Sequence, residues 1–300
     1  MLQADWCGHF RGSGMALFGK ILIGVDGSEP GLNALRQGCR LGRAERARIV
    51  AVSGAPRYEG DLSLVGVRNL DSVMNAPGSP VFQATQRIAQ EEGVVLDHLT
   101  TSGDIAERIT EVSAQYQCDL IILGYQHRPA LWRLVLNSII PTVMDESPAD
   151  VLIFPQGSHF TWQDVLLAID DPRFSGRAAR RALDFARAYG ARLLIAAPPA
   201  GSATRPADPS PSPAEELPRW QQRRFLQEFQ QQADTAHVRT EIVTPAGRIP
   251  NAAIDQACRE GIGLAILPQA LLRSRWAFLG QRSAALALQR SSCPILAVHS

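Results

Sequence analysis

Residues 120–155 read LIILGYQHRPALWRLVLNSIIPTVMDESPADVLIFP. The stretch opens with four apolar residues, 120–123, that stop at Gly124, and ends with four more, 151–154, that stop at Pro155. Short aliphatic runs ended by Gly or Pro predict strands covered on both faces, as in a parallel sheet. A loop and a helical segment lie between them, so the unit is strand–loop–helix–strand. In open parallel sheets, ligands bind beyond the carboxyl ends of the strands. Gly124 stands at that end, and Asn137 and Ser138 stand where the following helix would begin.

The unit returns at residues 264–299, LAILPQALLRSRWAFLGQRSAALALQRSSCPILAVH. Placing Leu120 on Leu264 puts Trp132 on Trp276, an offset of 144 positions. The same offset puts Asp26 on Asp170, Ala47 on Ala191 and Gly103 on Gly247. One ungapped register over five predicted strands reads as a tandem duplication. A length of 300 residues agrees with two domains at roughly 150 each. Their expected bounds are residues 16–155 and 160–300, with a short linker over 156–160. Residues 1–15 fall outside the repeat and read as a disordered extension upstream.

In the first half, Lys20–Asp26 is an apolar run ending in Asp, a buried strand. Ser28 caps the helix that follows, with Pro30 in its first turn, where a missing N–H costs little. A strand at 47–53 precedes an irregular Gly- and Pro-containing segment, 54–80. Then come a helix at Val81–Glu92, a strand at Val94–Thr100 and a helix at Ile105–Gln117 with Ile105, Ile109, Val112 and Tyr116 on one face. The second half repeats this: strand Val165–Asp170, helix Gly176–Tyr189 and strand Arg192–Ala197. A Pro-, Ala- and Ser-rich stretch, 198–218, is expected to be mobile. Helix Trp220–Ala233, strand Val238–Thr244 and helix Pro250–Glu260 follow. The alternation predicts an α/β fold, each half a five-stranded parallel sheet with right-handed crossovers and helices on both faces.

Several function classes drop out. Lys+Arg 30 against Asp+Glu 29 leaves a net charge of +1, which provides no electrostatic basis for nucleic acid or an anionic membrane as partner. The five cysteines, Cys7, Cys39, Cys118, Cys258 and Cys293, include no C-x-x-C pair. They predict neither a zinc or redox motif nor a disulfide framework, and a reducing cytoplasm fits that usage. No apolar run reaches the ~18 residues of a membrane span, and the N-terminus lacks the apolar core of a signal peptide. Gly14–Lys20, GMALFGK, matches most of a P-loop, yet Ile21 stands where Ser or Thr belongs and the motif precedes a strand. No G-x-G-x-x-G follows the first strand. His98, His159, His237 and His299 form no i,i+4 pair for a metal. No G-x-S-x-G elbow or carboxylate pair provides catalytic machinery. The expectation is a binding protein and not an enzyme.

Asp26 and Asp170 each end a first strand. A carboxylate there fits two roles, accepting hydrogen bonds from an adenine amino group or ribose hydroxyl, or shaping a turn or helix cap. The strand ending in V-D-G-S, residues 25–28, the fourth strand ending in Gly124, the helix opening with Asn137-Ser138 and the closing V-L-I-F strand together resemble the universal stress protein family. The resemblance covers nearly all of residues 16–300. It implies two tandem Rossmann-like, adenine nucleotide alpha hydrolase-like units.

Nucleotide-binding members of that family carry G-x-x-G-x(9)-G-[S/T], whose glycines let backbone wrap phosphates and whose hydroxyl sits at a helix N-terminus. Here Gly124 and Ser138 match the first and last positions, while His127 and Asn137 replace the inner glycines. Asn tolerates the left-handed conformation, whereas His127 would pay ~1–2 kcal/mol for it. In the second half the same positions are Pro268, Leu271, Gln281 and Arg282, so that half is not expected to bind ATP in the family's manner. The pocket implied in the first half consists of Asp26, Val52, Gly103, Gly124, Asn137 and Ser138, with ATP as candidate cofactor.

His127 beside Arg128 fits a small anion pocket, against the plainer reading of a solvated loop pair. Trp132 and Trp276 fit either a flat pocket floor or helix–sheet packing. Three functions follow: a stress-response protein binding a small ligand and signalling to a regulatory partner; an ATP-binding protein with slow hydrolysis in its first half; or a structural, partner-binding protein with both sites filled. The resemblance also implies pairing of last strands, in a homodimer or, within a tandem chain, an intramolecular pseudo-dimer.

Overall fold

The computed structural model describes residues 16–54, 79–126, 139–198, 213–247, 249–272, 288 and 291–299. The chain divides after Gly157 into two compact units.

The first unit contains β1 (Lys20–Gly24), α1 (Glu29–Glu45), β2 (Arg48–Gly54), α2 (Pro80–Glu92), β3 (Leu96–Thr101), α3 (Ile105–Tyr116), β4 (Leu120–Tyr125), α4 (Ile139–Glu146) and β5 (Asp150–Pro155). Its sheet order is β3-β2-β1-β4-β5, every pair parallel. Ile21, Leu22 and Ile23 in β1 and Leu120, Ile121 and Ile122 in β4 are wholly buried. Consecutive strand residues point to opposite faces, so burial of every one means that both faces are covered. Helix α1 packs with α2, and α3 packs with α4.

The second unit contains β6 (Asp164–Ala168), α5 (Pro172–Tyr189), β7 (Arg192–Ala196), α6 (Pro213–Thr235), β8 (Thr240–Val243), α7 (Asn251–Glu260), β9 (Leu264–Pro268), the one-turn α8 (Gln269–Leu272) and β10 (Ile295–Val298). Its parallel order, β8-β7-β6-β9-β10, is that of the first unit. The fold is α/β as expected, two tandem units each with a five-stranded parallel sheet.

The 144-residue offset extends to backbone detail. Helix-ending residues in the left-handed region recur as Arg46 and Gly190, Gly93 and His237, and Gln117 and Gly261. Gly103 and Gly247 recur at φ +100° and +124°. Only one of each of the first three pairs is a standard left-handed former by type, so the geometry is inherited more faithfully than the residue. At Arg46, Gln117 and His237 the backbone N–H still closes the helix end on carbonyls of the preceding turn.

Some boundaries move. Helix α5 begins at Pro172 instead of Gly176, because Asp171 caps it through the Arg173 N–H at 2.9 Å and Pro172 occupies the first turn. Helix α6 begins at Pro213, so residues 213–218 of the stretch expected to be mobile are helical. Residues 199–212 of that stretch, the bulk of the irregular segment 54–80 and the extension 1–15 lie outside the described residues. The apolar face of α3 is Ala106, Ile109 and Val112 with Ser113, while Ile105 and Tyr116 are only partly covered. Among the described residues no helix is long and apolar enough to cross a membrane.

Candidate functional site

In the first unit the chain runs from β1 outward to β3, then returns to β4 on the other side of β1. The switch point lies between the carboxyl ends of β1 and β4, where such sheets open a crevice. Asp26 follows β1 there, exposed, and Gly124 is on β4.

Asp26 shapes the turn into α1. Its Oδ1 accepts hydrogen bonds from the Ser28 N–H at 3.0 Å and the Ser28 hydroxyl at 2.6 Å. Ser28 Oγ in turn accepts from the Gly31 N–H at 3.2 Å and caps the helix. Gly27 allows this tight path at φ +78°.

Gly124 has a packing reason to be glycine. A Cβ there would stand 2.4 Å from the Pro30 carbonyl oxygen and 2.6 Å from the Gly31 nitrogen. A Cβ on Gly31 would stand 2.2 Å from Asp26 Oδ1. Asp26 and Gly124 are thus drawn together by the first turn of α1, wedged against the strand ends. Sequence reasoning missed Gly31, and it found Ser28 as a cap without its bond to Asp26. The available signal was a glycine directly after Pro30 in a helix, where it costs about 1 kcal/mol against alanine.

The remaining residues of the expected pocket distribute unevenly. Val52 lies in β2 beside β1, paired with Gly24. Its side chain is fully buried and its carbonyl accepts the Val25 N–H at 2.8 Å, so it offers a ligand no side-chain surface. Gly103 lies exposed beyond β3, before the Asp104 cap of α3. It shares the carboxyl edge of the sheet but is two strands away from Asp26. His127, Arg128, Asn137 and Ser138, with Trp132 and Trp276, lie outside the described residues. Beside this edge, the His98 ring stacks on Phe82 with centroids 5.2 Å apart and shares a 2.9 Å hydrogen bond with Ser53 Oγ. Burial holds its pKa below the ordinary histidine value.

The equivalent edge of the second unit is built otherwise. Gly27 is replaced by Asp171, whose carboxylate is gripped by Arg173 Nε at 3.0 and 2.9 Å and held below the usual carboxylate range by those bonds. Gly31 is replaced by Ser175, buried, its hydroxyl donating to the Asp171 carbonyl at 2.8 Å. Gly124 is replaced by Pro268, followed by the buried Gln269, whose Oε1 is 3.0 Å from His299 Nδ1. Side chains thus occupy an edge that the first unit lines with glycine. The aromatic cluster of Phe160, Trp162, Phe185 and Tyr189 lies at the opposite, amino end of β6. Among the described residues no cluster of His, Cys, Asp and Glu is arranged to hold a metal ion.

Comparison with known proteins matches this architecture. The sequence model of the universal stress protein family fits residues 17–155 and, separately, 161–299. A universal stress protein of Methanocaldococcus jannaschii is 25% identical over 148 residues, covering 47% of this chain and 84% of that protein. A universal stress protein A homolog of Haemophilus ducreyi is 28% identical over 148 residues, 46% of this chain and 97% of its own. In three dimensions, a universal stress protein of Archaeoglobus fulgidus superimposes with a TM-score of 0.71 at 14% identity, covering 95% of this chain and 97% of that one. A second structure, of a putative universal stress protein of Pseudomonas aeruginosa, gives 0.61 at 17% identity, over 95% and 94% of the two chains. At such identities the superpositions speak for the fold alone. With each half matched by the family's own sequence model, the chain belongs to the universal stress protein family, whose unit it carries twice in tandem.

Proposed function

We propose that this protein works in stress response by binding, not by turnover, and that it binds its small ligand in the first unit only. The observation that carries this reading is the contrast at the two switch points. Gly31 and Gly124 bring the first turn of α1 against the strand ends beside the exposed Asp26. Ser175, Pro268 and Gln269 fill the equivalent edge of the second unit. Asp26 engages Ser28 through Oδ1, and a carboxylate retains lone pairs for an amino or hydroxyl donor of a ligand. An adenine nucleotide is the ligand class with such donors that the family resemblance favours. The second unit serves as a partner-facing or pairing module, and the cytoplasm is the proposed location.

Isothermal titration of the full chain with ATP, with and without Mg²⁺, tests the reading. One site per chain is expected, tighter than ~10 μM or about −7 kcal/mol. Asp26→Asn should weaken it roughly tenfold, the worth of one hydrogen bond to a charged group. Two equal sites, or affinity indifferent to Asp26→Asn, would overturn the single-site assignment. Absence of any nucleotide binding would leave partner binding alone. Phosphate release accompanying ATP binding would replace the non-catalytic reading with slow hydrolysis.

A further inference from the structure

Two cysteines far apart in sequence meet in the second unit. Cys258 lies on the last turn of α7, half-buried, and Cys293 lies two residues before β10, only 5% exposed. The Ser292 N–H donates to Cys258 Sγ at 3.3 Å, which fixes the chain next to Cys293 against the Cys258 sulfur. The two thiols are near enough to shift each other's ionisation, and neither is in a disulfide. Ser291 Oγ donates to the Cys293 carbonyl at 2.6 Å and lies 3.6 Å from its sulfur, holding the turn. At the equivalent places of the first unit, 144 residues earlier, stand Ala114 and Ala149. The fold therefore needs no sulfur at either position.

We propose that Cys258 and Cys293 form a peroxide-responsive dithiol that closes to an intramolecular disulfide. Cys258 is the attacking sulfur, because it is the accessible one. Its pKa is pulled down to about 5 by the neighbouring Cys293 thiol, against burial, with help from Ser292. Cys293 is pushed up by the same pairing and by burial, so it keeps its proton until its turn. The Cys258 thiolate attacks one oxygen of a hydroperoxide, the O–O bond breaks, and the departing alkoxide or hydroxide is protonated to alcohol or water. Cys258 is left as a sulfenic acid. The Cys293 sulfur then attacks the Cys258 sulfur, an S–S bond forms, the S–O bond breaks, and hydroxide leaves as water with the Cys293 proton. Two thiols are oxidised by two electrons and one peroxide is reduced. A thiol reductant restores the pair. The disulfide ties the end of α7 to the entry of β10 and closes a ring over residues 258–293. That ring spans β9, α8 and all four positions where the second unit has lost the family's binding signature.

Cys39 and Cys118 serve as internal controls, because burial pushes their thiols up to about 12 and about 11. The reduced full-length chain is treated near pH 7 with one equivalent of hydrogen peroxide, quenched by alkylation and digested with trypsin without reductant. Peptides 249–259 and 291–300 should appear linked, with Cys39 and Cys118 alkylated. Before oxidation, iodoacetamide should modify Cys258 at least tenfold faster than either buried cysteine, the direction expected of a lowered pKa. Cys293→Ala, which installs the first unit's own residue, should leave Cys258 as a long-lived sulfenic acid trapped by dimedone. Cys293→Ser provides the same readout if the alanine variant loses its circular dichroism spectrum. The proposal is overturned if linked peptide fails to form, if crosslinks form between chains instead, or if the Cys258 sulfenic acid lives as long in the parent as in Cys293→Ala.

Discussion

Helices α1 and α5 occupy the same place in the two units and present different faces to their sheets. Helix α1 turns Gly31, Gly38 and Gly42 toward the strands, and α5 turns Ser175, Ala182 and Ala186. A Cβ on Gly38 would come within 2.6 Å of Ile23 Cδ1, and one on Gly42 within 2.6 Å of Ile49 Cδ1. In α5 those methyls exist and are buried, Ala182 at 0% and Ala186 at 1% exposure. The first helix thus lies close enough to its sheet that methyl groups have no room, while the second accommodates them. Strand register and helix ends were kept through duplication, and the room for methyl groups between this helix and its sheet was not. The exposed cross-strand pairs Arg48–Asp97 and Arg192–Glu241 also recur at the 144 offset, but ion pairs so accessible to water distinguish little.

The sharpest way to break this contrast is to add one carbon at Gly124. The atoms it would strike, the Pro30 carbonyl and the Gly31 nitrogen at 2.4–2.6 Å, are backbone and cannot rotate aside. Gly124→Ala should therefore push the start of α1 off the sheet at a cost of about 3 kcal/mol, the upper end for overpacking a core. In calorimetry this lowers the first unit's transition by roughly 10 °C and leaves the second unit's in place. An unchanged first transition would mean that α1 does not need its close approach. For the same reason, a ligand-binding loss in any Gly124 variant counts as evidence about the site only if the variant is shown to be folded.

A second device belongs to the first unit alone. Glu92, at the end of α2 with its side chain 8% exposed, accepts from Arg36 Nη1 at 3.1 Å and Arg40 Nε at 3.0 Å. Arg43 Nη1 adds a 2.8 Å bond to the Glu92 carbonyl. Burial disfavours the charge, yet the two arginine bonds outweigh it and leave the pKa below the ordinary glutamate value. In the second unit the position of Glu92 is Ala236. Glu92→Ala should cost the first unit about 2 kcal/mol, less than a fully buried pair because both arginines are partly exposed. The sign with pH follows from the depressed pKa: this stabilisation is present above the unfolded glutamate value and fades as pH falls through the folded one. Urea unfolding at pH 7 and again near pH 3 should find the parent and Glu92→Ala converging at the acid end.

The parts legible in the sequence were those set by local pattern. Aliphatic runs ended by Gly, Pro or Asp located the buried strands, and a repeat at constant offset exposed the duplication without any structure. The Ser28 cap followed from residue type and its neighbour Pro30. What stayed hidden depends on contacts between distant segments. Gly31 looks like an ordinary weak helix residue until Gly124 is placed against it. The family resemblance implies Val52 in the pocket, and only burial reveals that its side chain faces the core. Cys258 and Cys293 carry no motif because the fold, not a short spacing, brings them together. The loop 127–138 was read from the family signature, and its four candidate residues lie outside the described positions.

Exchanging helix faces provides a milder test of the spacing argument. Gly38→Ala adds a methyl 2.6 Å from Ile23 Cδ1 and 3.1 Å from Ile122 Cδ1, both the mobile ends of side chains. The helix gains about 1 kcal/mol of propensity, and the crowded core loses somewhat more, for a net destabilisation of about 1 kcal/mol. The reverse change, Ala182→Gly, meets no clash. It should still destabilise the second unit by about 1–2 kcal/mol, through lost propensity and the small void left behind. If Gly38→Ala stabilises the first unit, the close approach of α1 tolerates a methyl and spacing no longer explains why the two helix faces differ.

The smallest expected effect concerns His98, which faces Ser53 and Phe82 in the first unit, where the second unit has Ile242, Ala197 and Leu226. Burial lowers the His98 pKa in the folded chain, so between that value and the unfolded value near 6.5 the unfolded state binds more protons. Stability must then fall as pH drops below about 6.5, through a window that the second unit, with Ile242 at the equivalent position, does not share from this source. Replacing His98 by Gln preserves a partner for Ser53 Oγ and removes the titration. The first unit's transition should lose its histidine-dependent slope between pH 7 and pH 5, while the slope from Glu92, confined to more acid conditions, persists. A slope unchanged by His98→Gln would move the proton to another group and show that the pocket around Ser53 and Phe82 opens to water before the ring is charged.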